Sequence, residues 1–100
     1  MSQAMRIYSI HDKKASAFLP PFFLPTEGMA IRGFYDCIND PNHNFALHPG
    51  DYDLYTIGMW KPEKGIILAE EGPNPVITGL EVLGMVNKDK QVNKEEEEDA

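Results

Sequence analysis

Cysteine occurs once in the 100 residues, at position 37, which excludes an internal disulfide and gives no reason to expect an oxidising compartment. Long apolar runs are also missing. None approaches the roughly 20 residues that a membrane-spanning helix needs. The opening Met1-Ser2-Gln3-Ala4-Met5-Arg6 has no apolar segment of the kind found in secretory signals, so a soluble cytosolic chain is expected. Positive charge is scarce: 9 Lys and Arg stand against 16 Asp and Glu, for a formal net charge of −7. That balance disfavours indiscriminate binding to nucleic acid or to anionic membranes. Residues 87–100 hold three Lys against six acidic residues, and residues 1–86 hold six Lys or Arg against ten. The body therefore stays acidic without its end, and any basic surface must be local. No glycine-rich phosphate loop, Walker-type lysine or Gly-x-Ser-x-Gly elbow is present.

Aromatic and proline residues, by contrast, are concentrated. Asp12 to Pro25 reads Asp-Lys-Lys-Ala-Ser-Ala-Phe-Leu-Pro-Pro-Phe-Phe-Leu-Pro, with three Phe, two Leu and three Pro in fourteen residues. Each proline lacks a backbone N–H and fixes φ, and residues that precede a proline are held extended. The expectation is an extended Pro-rich loop whose rings either staple into the core or stand out as a rigid platform for a base or a peptide.

The remaining pattern predicts one α+β domain over residues 1–86 and a disordered acidic tail over 87–100. Met5–Ile10 reads as a strand with apolar residues on both parities, as in a central strand. Thr26 is a helix N-cap, Glu27 stands in the first turn, and Ala30, Ile31, Phe34, Cys37 and Ile38 make one apolar stripe, so a helix is expected over 27–39. Residues 40–52 read as an irregular connection, with a helical turn at Pro49. Asp53–Trp60 is the clearest strand, with Tyr55, Ile57 and Met59 on one face and Leu54, Thr56, Gly58 and Trp60 on the other. Lys61–Gly65 is a hairpin turn, Ile66–Ala69 the returning strand and 70–75 a second irregular link. Residues 76–83 fit either a strand or a helical turn. The expected architecture is a small antiparallel sheet of three to four strands with one helix packed on a face and a Pro-rich loop before that helix.

Chemistry-bearing residues do not converge in the sequence. His11, His43, His48 and Cys37 lack metal-ligand spacing, so no metal, cofactor or catalytic residue is assigned and no enzyme is expected. Cys37 reads as a buried structural thiol. The acidic end fits a solvated tail, an electrostatic lure for a basic partner or a decoy that imitates DNA. Rings beside local positive charge are the remaining signal. Lys13 and Lys14 precede Phe18, Phe22 and Phe23; Lys61 and Lys64 follow Trp60; Arg32 lies on the polar side of the helix. Single-strand binders combine such a basic track with stacking rings.

Three blocks in this order resemble a known family. Ile10-His-Asp-Lys-Lys-Ala-Ser-Ala-Phe-Leu-Pro-Pro-Phe-Phe23, Ala30-Ile-Arg-Gly-Phe-Tyr-Asp-Cys-Ile-Asn-Asp-Pro41 and His48-Pro-Gly-Asp-Tyr-Asp-Leu-Tyr-Thr-Ile-Gly58 are similar to the small nonstructural protein of gokushoviruses, single-stranded DNA phages of the microvirus group. The resemblance covers residues 6–80 and leaves out the end after Asn87. It implies a DNA-binding or DNA-synthesis protein that favours single-stranded genome production, with no catalytic residues to carry over. The expected partners are single-stranded DNA, bound weakly and salt-sensitively, or phage and host replication proteins gripped without contact to DNA. No membrane partner is expected. Pairing of open sheet edges across a two-fold axis makes a homodimer a further option.

Overall fold

A computed structural model describes residues 3–98, with side chains through residue 92. Strand β1 (Met5–Asp12) runs down the middle of an antiparallel sheet of five strands. On one side it pairs with two short strands in succession, β2 (Ala17–Phe18) and β3 (Phe22–Leu24). On the other it pairs with β4 (Tyr52–Lys61), which pairs in turn with β5 (Ile66–Thr78). Helix α1 (Glu27–Asn39), the four-residue α2 (Asn44–Leu47) and α3 (Gly79–Glu98) complete the α+β fold. A 3-10 turn at Pro49–Asp51 leads into β4.

The expected helix over 27–39 is found at those bounds. The Thr26 side chain accepts the Met29 N–H at 3.2 Å, and Ala30, Phe34 and Ile38 are buried along its apolar stripe. These side chains meet Tyr8 and Ile10 of β1, Leu54 of β4, and Val82 and Val86 of α3 in one core. Burying each such apolar side chain contributes about 1.5–3 kcal/mol. Four successive residues of β1, Ile7 to Ile10, are buried, as a central strand requires.

Three expectations need correction. First, the Pro-rich segment is not a free loop. Pro20 and Pro21 fall in the gap between β2 and β3, where the missing N–H groups cost no ladder bond, and both short strands lie at the sheet edge that tolerates such interruptions. The Leu19 N–H donates to the Ile10 carbonyl at 2.8 Å, and the Ser9 hydroxyl donates to the Leu19 carbonyl at 2.6 Å, which bridge the gap. Second, residues 66–78 form one long strand instead of a strand, a link and an ambiguous piece. Pairing passes from Gly58–Ala69 to Thr56–Asn74, so Glu70–Pro73 bulges outward, with Gly72 at φ +100° where a left-handed backbone favours glycine.

Third, one packed helix is too few, and the helix that follows β5 continues past Asn87. Helix α3 runs from Gly79 to Glu98 and packs beside α1. Thr78 and Glu81 form a capping box: the Thr78 hydroxyl accepts the Glu81 N–H at 3.1 Å and the Glu81 carboxylate accepts the Thr78 N–H at 3.3 Å. Val82 and Val86 dock into the core, and the Tyr35 hydroxyl donates to Asp89 Oδ2 at 2.5 Å. The Lys, Gln and Glu residues that follow are good helix formers, so a helix anchored at its start propagates through them. Residues 99 and 100 of the expected tail lie outside the described residues.

Candidate nucleic-acid interface

Both long helices cover the same face of the sheet, the one that carries Tyr8, Ile10 and Leu54. The opposite face can be read from the strand register, because directly opposed residues of an antiparallel pair point to the same side. His11 opposes Phe18, Ser9 opposes Tyr55, Ile7 opposes Phe23 and Gly58, and Met5 opposes Trp60. Trp60 in turn opposes Ile67, and Tyr55 opposes Pro75. This second face is therefore rich in rings; Ile7, Ser9 and Asp53 at its centre are buried, and the core that α1 and α3 share lies on the other side.

At one end of that face three rings touch. His11 and Phe18 have centroids 4.6 Å apart, Phe18 and Tyr55 meet edge-on at 5.3 Å, and His11 and Tyr55 are 6.2 Å apart at 84°. Edge-to-face packing fixes these rings without hiding them. Phe18 is 43% exposed and Phe23 is 41% exposed. Trp60 marks the far end. Met5, its partner, is six residues from His11 along β1, which places the two ends about 20 Å apart.

Tyr55 and Trp60 share this face because β4 bulges. The register of β1 and β4 shifts between the Ile7–Gly58 and Tyr8–Thr56 pairs, leaving Ile57 as the extra residue. Strict alternation would put Tyr55 and Trp60 on opposite sides, as the sequence reading did; one extra residue reverses the parity beyond it.

Of the predicted residues, Phe18, Phe23 and Trp60 are brought together on this face. Phe22 is not: it turns to the helical side, stacks on Tyr8 at 5.8 Å and packs against the core. Arg32 also lies on the helical side, in a shallow groove between α1 and α3 with Tyr35, Asp36 and Asp89. Lys13 is tied down, its Nζ 3.2 Å from Asp53 Oδ2 and bonded to the Gly50 carbonyl at 3.1 Å. Lys14 is exposed in the turn between β1 and β2, next to the ring cluster, and Lys64 is exposed in the β4–β5 turn near Trp60. Lys61, partly exposed, ends β4. Arg6 on β1 is exposed too, but it opposes Leu24 and Met59, and Lys61 follows Trp60 by one residue, so both alternate onto the helical side.

Two ring residues were also missed as parts of a face. The sequence offers His11 only as a candidate metal ligand and Tyr55 only as a strand residue. The signal for His11 was its period-two spacing from Ile7 and Ser9 in β1. His43, by contrast, makes the expected loop hydrogen bond: its Nδ1 accepts the Phe45 N–H at 3.0 Å as the cap of α2. Among the described residues no group of three or more His, Cys, Asp or Glu is placed to hold a metal ion, and no helix is long and apolar enough to cross a membrane.

The helical side carries a different feature, a half-open apolar cavity of about 270 Å³ between β1, β3 and α1, with Phe22, Leu24, Phe34, Cys37 and Phe45 in its wall. Burial pushes the Cys37 thiol above its ordinary range, and the carboxylates of Asp36 and Asp40 push it further. A thiol so held is a poor nucleophile.

A family described as phage ORF5 protein matches the chain over residues 5–82, a span that takes in all five strands, α1 and the first turn of α3. No curated protein and no solved structure matches it.

Proposed function

Because the chain belongs to the phage ORF5 protein family, we propose that it is a non-enzymatic accessory of phage DNA replication. In this reading it acts in the cytoplasm of the bacterial host and holds single-stranded DNA on the ring-bearing face of its sheet. The observation that carries this is the His11–Phe18–Tyr55 cluster, three rings in contact on the face opposite the core that α1 and α3 share. Base–ring stacking contributes about 1–3 kcal/mol per base and tolerates any sequence. Phe23 and Trp60 extend the track, and the exposed Lys14 at one end and Lys64 at the other meet the phosphates. With so few cations and a net charge of −7, binding is weak and falls steeply with salt. Such a protein favours single-stranded genome synthesis by keeping the displaced strand from pairing.

The test is fluorescence titration of a labelled oligonucleotide across a salt series. A log–log slope of about −1.4 is expected if two phosphates are neutralised. Phe18→Ala should weaken binding by roughly tenfold, the worth of one stacked base. Absence of binding at low salt would end this reading.

A second reading is a module that grips a phage or host replication protein without touching DNA. The half-open apolar cavity beside Phe22 and Phe45 favours it, because a protein side chain fits such a site and a nucleotide phosphate does not. Under it, Phe34→Trp, which fills the cavity, abolishes capture of the replication protein and leaves oligonucleotide titrations flat.

A further inference from the structure

We infer that the outer edge of β5 seats a second copy of this chain, docked antiparallel about a two-fold axis that passes beside Ile67. Strand β5 ends the sheet, so one row of its backbone N–H and C=O groups has no strand beside it. The second half of the strand is guarded in the usual ways, by the Glu70–Pro73 bulge, by Gly72 at φ +100° and by Pro73 and Pro75. The first half is not. Ile66-Ile67-Leu68-Ala69 has neither charge nor proline, and Ile66, Ile67 and Leu68 are 42%, 58% and 50% exposed. Exposed β-branched residues on an unguarded edge call for a strand partner.

The register follows from symmetry. A two-fold axis normal to the sheet keeps each residue on the same face as its copy, and directly opposed residues share a face. One residue must then oppose itself. Centring on Ile66 sets Lys64 against Leu68, and centring on Leu68 sets Ile66 against Glu70. Centring on Ile67 sets Ile66 against Leu68 and brings Lys64, in the turn just before the strand, towards Glu70, the first residue past the paired Ala69. Of these three registers only the last matches apolar with apolar and positive with negative, twice over by symmetry. Glu70 Oε2 is engaged by Thr56 and Asn74, and among the described residues no bond is made to Oε1, which is left to meet Lys64 of the second copy.

Ile67 opposes Trp60 on the ring-bearing face, so this pairing joins the two ring-bearing faces into one surface across the axis. The pairing itself does not rest on that face binding DNA, and its test contains none. Sedimentation equilibrium of the full chain should show a mass that rises with concentration toward twice 11.3 kDa. Ile67→Lys, which sets two ammonium groups face to face at an exposed position, should give the single-chain mass with an unchanged circular dichroism spectrum. Lys64→Glu alone and Glu70→Lys alone should each be monomeric, while their equimolar mixture dimerises, because each brings the charge that the other lacks. A wild-type mass of one chain up to the solubility limit overturns the inference, and so does a dimer that survives Ile67→Lys. Failure of the mixture to dimerise overturns the register.

Discussion

Lys13 and Asp53 form an ion pair that fastens the turn after β1 to the strand on which α3 is seated. Lys13 Nζ is 3.2 Å from Asp53 Oδ2, while Asp53 Oδ1 accepts the Gly79 N–H at 3.2 Å. Lys13 is half exposed and Asp53 is largely enclosed, so solvent screens the attraction and the helix-start bond carries more of the stability. Asp53→Ala should lower the unfolding free energy by about 2 kcal/mol, and Asp53→Asn, which keeps an acceptor for Gly79, by about 1 kcal/mol. Urea denaturation of the two variants measures both.

The same pair separates two neighbouring lysines. Lys13 spends its charge on Asp53, whereas Lys14 is exposed in the turn beside the His11–Phe18–Tyr55 rings. Lys14→Ala should flatten the salt slope of oligonucleotide binding by about 0.7, the share of one phosphate on a single strand. Lys13→Ala should lower the melting temperature and change the slope less. Equal effects of the two on the slope would contradict the division of roles.

Gly79 has no room for a side chain. A Cβ there would collide with the carbonyl oxygen of Pro49 and lie 2.5 Å from that of Tyr52. Both oxygens belong to backbone and cannot swing aside. Gly79→Ala should cost about 3 kcal/mol by forcing α3 away from the 3-10 turn, read as a drop in melting temperature.

Tyr8 is fully buried, and its hydroxyl has no hydrogen-bond partner among the described residues. Its ring packs on Phe22, so the apolar part of the residue does the stabilising. Tyr8→Phe removes a polar atom that water no longer solvates and should raise stability by about 1 kcal/mol. A loss of that size in chemical denaturation would mean the hydroxyl is bonded.

Cys37 gives a pH-dependent test. Burial first, then Asp36 and Asp40, hold its thiol protonated beyond the ordinary range. In the native chain, alkylation by iodoacetamide should therefore climb only at pH values where the urea-unfolded chain has already reached its plateau. The linked effect on stability has a fixed sign. Below the unfolded thiol's pKa both states are protonated and stability is unaffected; as pH rises past it only the unfolded chain ionises, so stability falls until the folded thiol ionises too.

Local signals determined the elements whose cause is local. Thr26, Glu27 and the apolar stripe from Ala30 to Ile38 placed α1 at its bounds, and Lys61–Gly65 declared its hairpin. Phe18, Phe23 and Trp60 were recognisable as rings near positive charge. The capping box of Thr78 and Glu81 is equally legible in the sequence and marks the start of α3.

What only the tertiary structure decided were matters of pairing and parity. Whether a proline ruins a strand depends on whether it falls on a ladder bond, and Pro20 and Pro21 fall between two. Whether Tyr55 and Trp60 share a face depends on one bulged residue, Ile57, which periodicity alone does not reveal. The direction of Phe22 into the core and of Phe18 and Phe23 away from it follows from register with β1, a relation between segments that no single stretch of sequence contains.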